Sequence, residues 1–360
     1  MSEETNAGTV NEMAETLTVT AETPATEPMN DGRAVEFARD AYANIQRELA
    51  KVIVGQQDVI EEILIAIFTR SHALLVGVPG LAKTLMISSL ARTLQMSFKR
   101  IQFTPDLMPS DITGTEVIYQ DQTTGEKQFK FLRGPLFANI VLADEINRTP
   151  PKTQAAMLEA MQERRVTVGG KTHALPRPFF VLATQNPLEQ EGTYPLPEAQ
   201  LDRFMFLINV DYPEVEEEIR IMQMGTGGKG EELQPVIGAE GILFIQDTVK
   251  LIPVSEHVYR YAQKIAGCTR TRKPEAAEFC KKYLNFGAGP RASLGLIIAA
   301  KAHALIHGQP YVSCENVAAV AKAIMRHRIS VNFTAQSEGI TSDDVVKMIL
   351  EQVPQNEPLA

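Results

Sequence analysis

The sequence has no tryptophan, 6% aromatic residues and three cysteines in 360 residues. Cys268, Cys280 and Cys314 lie far apart with no C-x-x-C pair. That excludes a disulfide framework and leaves reduced packing thiols, the cytoplasmic pattern. No uninterrupted apolar run reaches membrane-spanning length. The best candidate, residues 294–306, is broken by Lys301 and His303. The N-terminus shows neither a basic n-region nor an apolar h-region, so no secretory signal is expected. Basic excess is also missing. Net charge is −9, and residues 1–32 hold seven acids and no Lys or Arg, leaving 37 acids against 35 bases elsewhere. A near-neutral body lacks the strongly basic footprint of a nucleic-acid surface. No internal repeat is present.

What is there begins with Leu74-Leu75-Val76-Gly77-Val78-Pro79-Gly80-Leu81-Ala82-Lys83-Thr84. A strand-length apolar run meets a Gly/Pro turn, and residues 81–94 then read as a helix. Successive backbone N–H groups and a helix N-terminus suit a polyphosphate. Lys83 can reach its β- and γ-phosphates, and the Thr84 hydroxyl can ligate Mg²⁺. The usual pattern has Gly where Ala82 stands. Ala takes positive φ poorly, so Ala82 is expected to be helical already.

Residues 1–32 are rich in Thr, Glu, Ala and Pro and read as a disordered acidic tail. From Arg33 the spacing of Ala38, Tyr42, Ile45 and Leu49 predicts a helix, and Val59, Ile63, Leu64 and Ile67 a second. Buried strands are expected at 98–103, 139–143, 179–183 and 204–210, with a helix over 152–163. Two hairpins interrupt this order. One lies within 104–134, with strands 115–119 and 127–131 about a 122–126 turn; the other spans 165–176, turning at Gly169-Gly170. Tyr212-Pro213 marks a boundary beyond which the chain is helical, with a loop at 226–231 and about four more helices. Repeated strand-then-helix before it implies a parallel α/β sheet with ligand at the strand C-termini.

Polar groups at separate strand ends would converge there. Asp144, after the apolar run 139–143, can hold Mg²⁺, and the adjacent Glu145, pointing the opposite way on a strand, can act as general base. Asn186 ends a neighbouring strand and can orient water, although Asn is also turn chemistry. Arg203 can neutralise transition-state charge across a subunit boundary, or pair with Asp202 or Glu198. Arg291, at a helix start, would contact a γ-phosphate in a lid folded over the nucleotide. His303 and His307 share a helix face, but with no Glu or third ligand nearby they are read as packing.

In this arrangement the chain resembles the MoxR family of AAA+ ATPases over about residues 36–354. Gly77-Val78-Pro79-Gly80-Leu81-Ala82-Lys83-Thr84 is similar to its Walker A and Leu142-Ala143-Asp144-Glu145-Ile146-Asn147-Arg148 to its Walker B. Ala183-Thr184-Gln185-Asn186-Pro187 resembles sensor 1, and Glu198-Ala199-Gln200-Leu201-Asp202-Arg203-Phe204 the finger segment. Gly289-Pro290-Arg291-Ala292 resembles sensor 2, and His327-Arg328-Ile329 part of a C-terminal signature. The resemblance implies a three-layer αβα subdomain over 33–212 with strand order 5-1-4-3-2, and an all-α lid over 213–354. It makes the hairpins a helix-2 insert and a pre-sensor 1 insert. It implies ATP and Mg²⁺, a hexameric ring with nucleotide between subunits, and Ile53, Val54 and Gly55 against the adenine. It leaves open whether Arg291 acts within its own subunit or on a neighbour. It brings remodelling of a protein client, metal-cofactor insertion being a narrower variant, with a von Willebrand factor A domain partner. This sequence has no Asp-x-Ser-x-Ser metal motif, so that partner is expected on a separate polypeptide. A nucleic-acid motor and a nucleotide-gated scaffold with little turnover are the rival readings.

Overall fold

The computed structural model describes residues 31–120, 127–188, 191–227 and 231–355. The acidic tail therefore lies outside the described residues up to residue 30, as do the 122–126 turn and the 356–360 end. Asp31 and Gly32, read as tail, instead open the first helix, α1 (Asp31–Leu49). Its buried Ala38, Tyr42, Ile45 and Leu49 follow the expected stripe. α2 (Gln57–Phe68) comes next, then β1 (Ala73–Val76) and α3 (Lys83–Thr93). β2 (Phe98–Gln102) leads into a short helix the sequence pattern did not predict, α4 (Pro109–Thr113), started by Pro109 and capped where Asp111 accepts the Met108 N–H at 2.8 Å.

β3 (Gly114–Gln120) and β4 (Lys127–Arg133) pair antiparallel as the first hairpin. Gly114 sits at its base with φ +96, where a Cβ would lie 2.3 Å from the Leu132 carbonyl oxygen. β5 (Ile140–Asp144) and α5 (Pro151–Glu163) precede the second hairpin, β6 (Arg165–Val168) and β7 (Lys171–Ala174). β8 (Phe180–Gln185), α6 (Glu198–Leu201) and β9 (Phe206–Asn209) complete this half.

The five core strands run parallel in the order β2-β5-β8-β1-β9, which is the expected 5-1-4-3-2 read from the other edge. Period-two alternation divides their side chains between two cores. Leu75, Ile140, Leu142, Leu182 and Ile208 face α1, α2, α3 and the lid. Leu74, Val141, Ala143, Val181 and Ala183 face α5 and the hairpins.

The chain turns helical where expected: α7 (Val215–Thr226), α8 (Ala239–Leu251), α9 (Glu256–Gly267), α10 (Glu278–Tyr283), α11 (Pro290–Ile306), α12 (Cys314–Met325), α13 (Phe333–Ser337) and α14 (Ser342–Gln352). The expected four helices after the 226–231 loop underestimate this region. They also miss a two-stranded pair, β10 (Leu284–Phe286) with β11 (Ser330–Val331), too short to show a period. The lid core is continuous with the sheet core through α1, α2 and α11. Among the described residues no helix is long and apolar enough to cross a membrane.

Candidate nucleotide-binding and hydrolysis site

β1 delivers its chain into the phosphate loop at Gly77, where a Cβ would meet the Val210 carbonyl oxygen at 2.5 Å. Only glycine lets the loop leave the sheet so close to β9. Ala82 departs from expectation. Its φ of 52 and ψ of 22 are left-handed, and α3 begins only at Lys83. An L-residue there costs about 1 kcal/mol, and Ala82 bears it at an exposed position where the Met86 N–H donates to its carbonyl at 2.9 Å. With Gly80 at φ +91 the backbone alternates in hand, the conformation that forms anion-binding nests. Lys83 folds back so that Nζ donates to the Gly77 carbonyl. Its pKa is lowered by burial, against the pull of Asp144 and Glu145.

Pro79, Gly80, Leu81, Ala82, Lys83 and Thr84 line a cleft of about 360 Å³ whose other wall carries Arg100, Asp144, Glu145, Thr184 and Asn186. The loop after β1 and the ends of β5 and β8 thus meet in one cleft, joined by Arg100 from within β2. Asp144 accepts from Thr184 Oγ1 on Oδ1 at 2.6 Å and from Arg100 Nε and Nη2 on Oδ2 at 2.9 and 2.6 Å. Glu145 does not follow strand alternation. It lies one residue past β5 with φ 57 and ψ 51, and this left-handed turn keeps its carboxylate in the cleft beside Asp144. Gln102 Nε2 donates to its Oε2 at 2.7 Å and Arg148 Nη1 at 3.2 Å. Asn186 combines both readings made of it. It lines the cleft, and its Oδ1 accepts the Leu188 N–H at 3.1 Å in an Asx turn.

Ile53, Val54 and Gly55 line a separate space of about 670 Å³ with Lys51, Ile60, Arg220 and Met224. Gln56 Nε2 donates to the Asp211 carbonyl at 3.0 Å. Asp211 directly follows Val210, the residue packed on Gly77, so the segment carrying Ile53, Val54 and Gly55 is tied to the chain beside the phosphate loop.

Arg203 and Arg291 do not enter that cleft. They share another cavity, of about 290 Å³, with Arg70, His72, Arg164, Asp202 and Arg328. Asp202, considered a partner for Arg203, is taken by others. Its Oδ2 accepts from Arg291 Nη1 at 3.0 Å and its Oδ1 from Arg328 Nε at 2.8 Å. Buried Arg328 also donates to the carbonyls of Met205 and Phe204 at 2.9 and 2.8 Å, fastening the finger segment to the lid.

Relatives then decide the family. Residues 72–206 match the ATPase family associated with various cellular activities, and residues 276–349 match an AAA lid domain. The chaperone MoxR1 of Mycobacterium tuberculosis is 42% identical over 306 residues, covering 85% of this chain and 80% of that protein. The chain belongs to the MoxR family of AAA+ ATPases. The Bacillus subtilis protein YeaC is similar to it at 43% identity, covering 84% of this chain and 91% of its own. A crystal structure of a Cytophaga hutchinsonii protein assigned as an ATPase superposes with a TM-score of 0.83 at 41% identity, covering 90% and 98% of the two chains.

Several residues of this MoxR-family site escaped the sequence reading. Arg100 and Gln102 are two apart on edge strand β2, and Gln102 is in register with Asp144. Their alternation was the available signal, but an exposed strand face reads as solvated. Thr184 lay inside the sensor 1 motif without a role. Arg70 and Arg164 gave no signal, because only the fold sets them beside Arg203. One premise about His303 and His307 is corrected: a Glu does lie beside them, Glu61 of α2, distant in sequence.

Proposed function

We propose that this MoxR-family chain hydrolyses ATP in a ring and converts turnover into remodelling of a protein client. One observation carries the reading: the phosphate cleft and the Arg203–Arg291 cavity are two separate places on one chain. A finger that cannot serve its own cleft can complete a neighbour's. On this reading Arg291 acts with Arg203 on the adjacent subunit.

Thr84 and Asp144 offer the hydroxyl and carboxylate oxygens that a hard divalent ion prefers, and both line the cleft, so Mg²⁺ fits. When bound it neutralises charge on the phosphate oxygens. Lys83 binds the terminal phosphates, while Thr184 and Arg100 hold Asp144 in orientation. Gln102 and Arg148 both engage Oε2 of Glu145, which leaves Oε1 to accept the proton of the attacking water. Asn186 spends its oxygen on Leu188, so its Nδ2 is the group that positions that water. Ile53, Val54 and Gly55 enclose the adenine.

The client side is assigned to the hairpins. Ile118, Tyr119, Phe129 and Leu132 are exposed on the β3–β4 hairpin. Phe131 stacks on His173 of the second hairpin with ring centroids 4.1 Å apart, which supports movement of the two as a unit. A separate von Willebrand factor A domain protein is the partner proposed. Phosphate release measured against protein concentration tests the ring. Specific activity should rise cooperatively as subunits assemble, and full activity in dilute monomer would contradict the reading.

A further inference from the structure

Away from the nucleotide cleft, α2 meets the lid helix α11 at a cluster the ATPase chemistry does not use. Glu61 projects from α2 towards His303 and His307, one turn apart at the end of α11. His303 Nε2 lies 3.5 Å from Glu61 Oε1, and His307 Nε2 lies 3.8 Å from Glu61 Oε2. One ligand atom from each of the three residues fits within a mutual 4.8 Å. The two imidazoles stack with centroids 4.3 Å apart.

We propose that Glu61, His303 and His307 bind one divalent transition-metal ion of the zinc type, tying α2 to the lid. Bonds of about 2.0–2.1 Å in a tetrahedron set ligand atoms about 3.4 Å apart, close to the 3.5 Å from His303 Nε2 to Glu61 Oε1, with His307 Nε2 within 4.8 Å to be drawn in by the ion. Two imidazoles and one carboxylate suit zinc, copper or nickel rather than Mg²⁺ or Ca²⁺. Three protein ligands, with His307 at the surface, leave a fourth position open to water.

The surroundings orient two of the three ligands. His307 Nδ1 lies 2.9 Å from the His303 carbonyl oxygen and so carries the proton, which turns an unprotonated Nε2 to the site. The Tyr42 hydroxyl donates to Glu61 Oε2 and itself accepts from Gln46 Nε2. His303 is arranged differently. Its Nδ1 lies 3.1 Å from Asn316 Nδ2, while Asn316 Oδ1 accepts the Ser313 N–H at 2.7 Å. Asn316 is therefore the donor, and in the metal-free protein the His303 proton sits on Nε2, facing Glu61. Metal entry displaces that proton and needs Asn316 to release Nδ1. Asn316→Asp supplies the acceptor that a metal-bound histidine prefers, and it keeps an oxygen for the Ser313 N–H.

The test is titration of the chelator-stripped full chain with Zn²⁺ alone, by calorimetry in excess Mg²⁺ so that the nucleotide cleft is not counted. One site per chain is expected, weakened at least tenfold by Glu61→Gln and by His307→Ala separately, and strengthened severalfold by Asn316→Asp. Zn²⁺ should also raise the melting midpoint of the unaltered protein and not that of His307→Ala. His307 is exposed enough that its removal should leave the fold intact. No binding at micromolar Zn²⁺, or equal binding by the Glu61→Gln and His307→Ala variants, would overturn the proposal.

Discussion

The phosphate cleft and the arginine cavity are built from opposite electrostatic materials. In the cleft, Lys83 and Arg100 stand against Asp144 and Glu145, and each carboxylate has its own donors. In the cavity, Arg70, Arg164, Arg203, Arg291 and Arg328 face one carboxylate among its described lining residues, Asp202. Burial lowers the Arg164 pKa, and Arg70 and Arg177 lower it further. Burial also lowers that of Arg328, against the pull of Asp202. The cleft is nearly balanced before nucleotide arrives, whereas the cavity, even with Asp202 inside it and Arg70 paired to Asp247, is short of a further anion. On the proposed reading a neighbour's terminal phosphate supplies one, which makes the two halves of one site.

The largest expected effect tests the cleft side. Glu145→Gln should lower turnover by at least about a hundredfold while nucleotide binding persists, measured by phosphate release and fluorescent-nucleotide titration. Unchanged turnover removes Glu145 from the chemistry. Next come the cavity arginines. Arg203→Ala should lower kcat by about a hundredfold or more with little change in nucleotide affinity, and Arg291→Ala should do the same to a smaller degree. A large loss of affinity in Arg291→Ala, with kcat retained, would return that residue to its own subunit's nucleotide.

A smaller effect concerns Asp202, which holds both Arg291 and Arg328. Asp202→Asn should reduce kcat by about tenfold with KM nearly unchanged, because it positions the arginines and does not touch nucleotide. A change confined to KM would contradict that role.

A separate effect, on stability and not on turnover, is one of pH. His72, which lines the cavity, is buried. Its Nδ1 accepts the Val181 N–H at 3.0 Å, and its Nε2–H faces the Met161 carbonyl at 3.1 Å. Burial lowers its pKa from 6.5 to about 4. The folded state thus binds fewer protons than the unfolded chain between those values, so this contribution is full above pH 6.5 and lost towards pH 4. The amount is about 3 kcal/mol. Glu62, raised to about 7 mainly by burial, titrates in the opposite sense. The check is therefore a difference: the stability gap between the unaltered protein and His72→Gln, by denaturant unfolding, should shrink as pH falls from 6.5 to 4. A constant gap would show that His72 is not held neutral.

The sheet was legible because Leu74, Leu142 and Leu182 sit in apolar runs bounded by Gly, Asp-Glu and Thr-Gln-Asn, and each run ends where chemistry is needed. Lys83, Asp144 and Asn186 followed from those ends. Ala82 and Glu145 were misread because propensity argues against left-handed backbone at both, and the sharp turns that leave β1 and β5 override it. Asp202 and Arg328 were legible as types but not as a pair, since they lie 126 residues apart and meet only through the lid. The Glu61–His303–His307 cluster was hidden for the same reason.

The most direct test of a site shared between subunits mixes two inactive variants. Arg203→Ala has an intact cleft and Glu145→Gln an intact cavity. Combined in varying ratios, they should regain a fraction of the ATPase activity that neither shows alone, highest near equal amounts. Activity that stays at the sum of the separate preparations at every ratio, in rings shown to exchange subunits, would contradict completion of the cleft by a neighbour's Arg203.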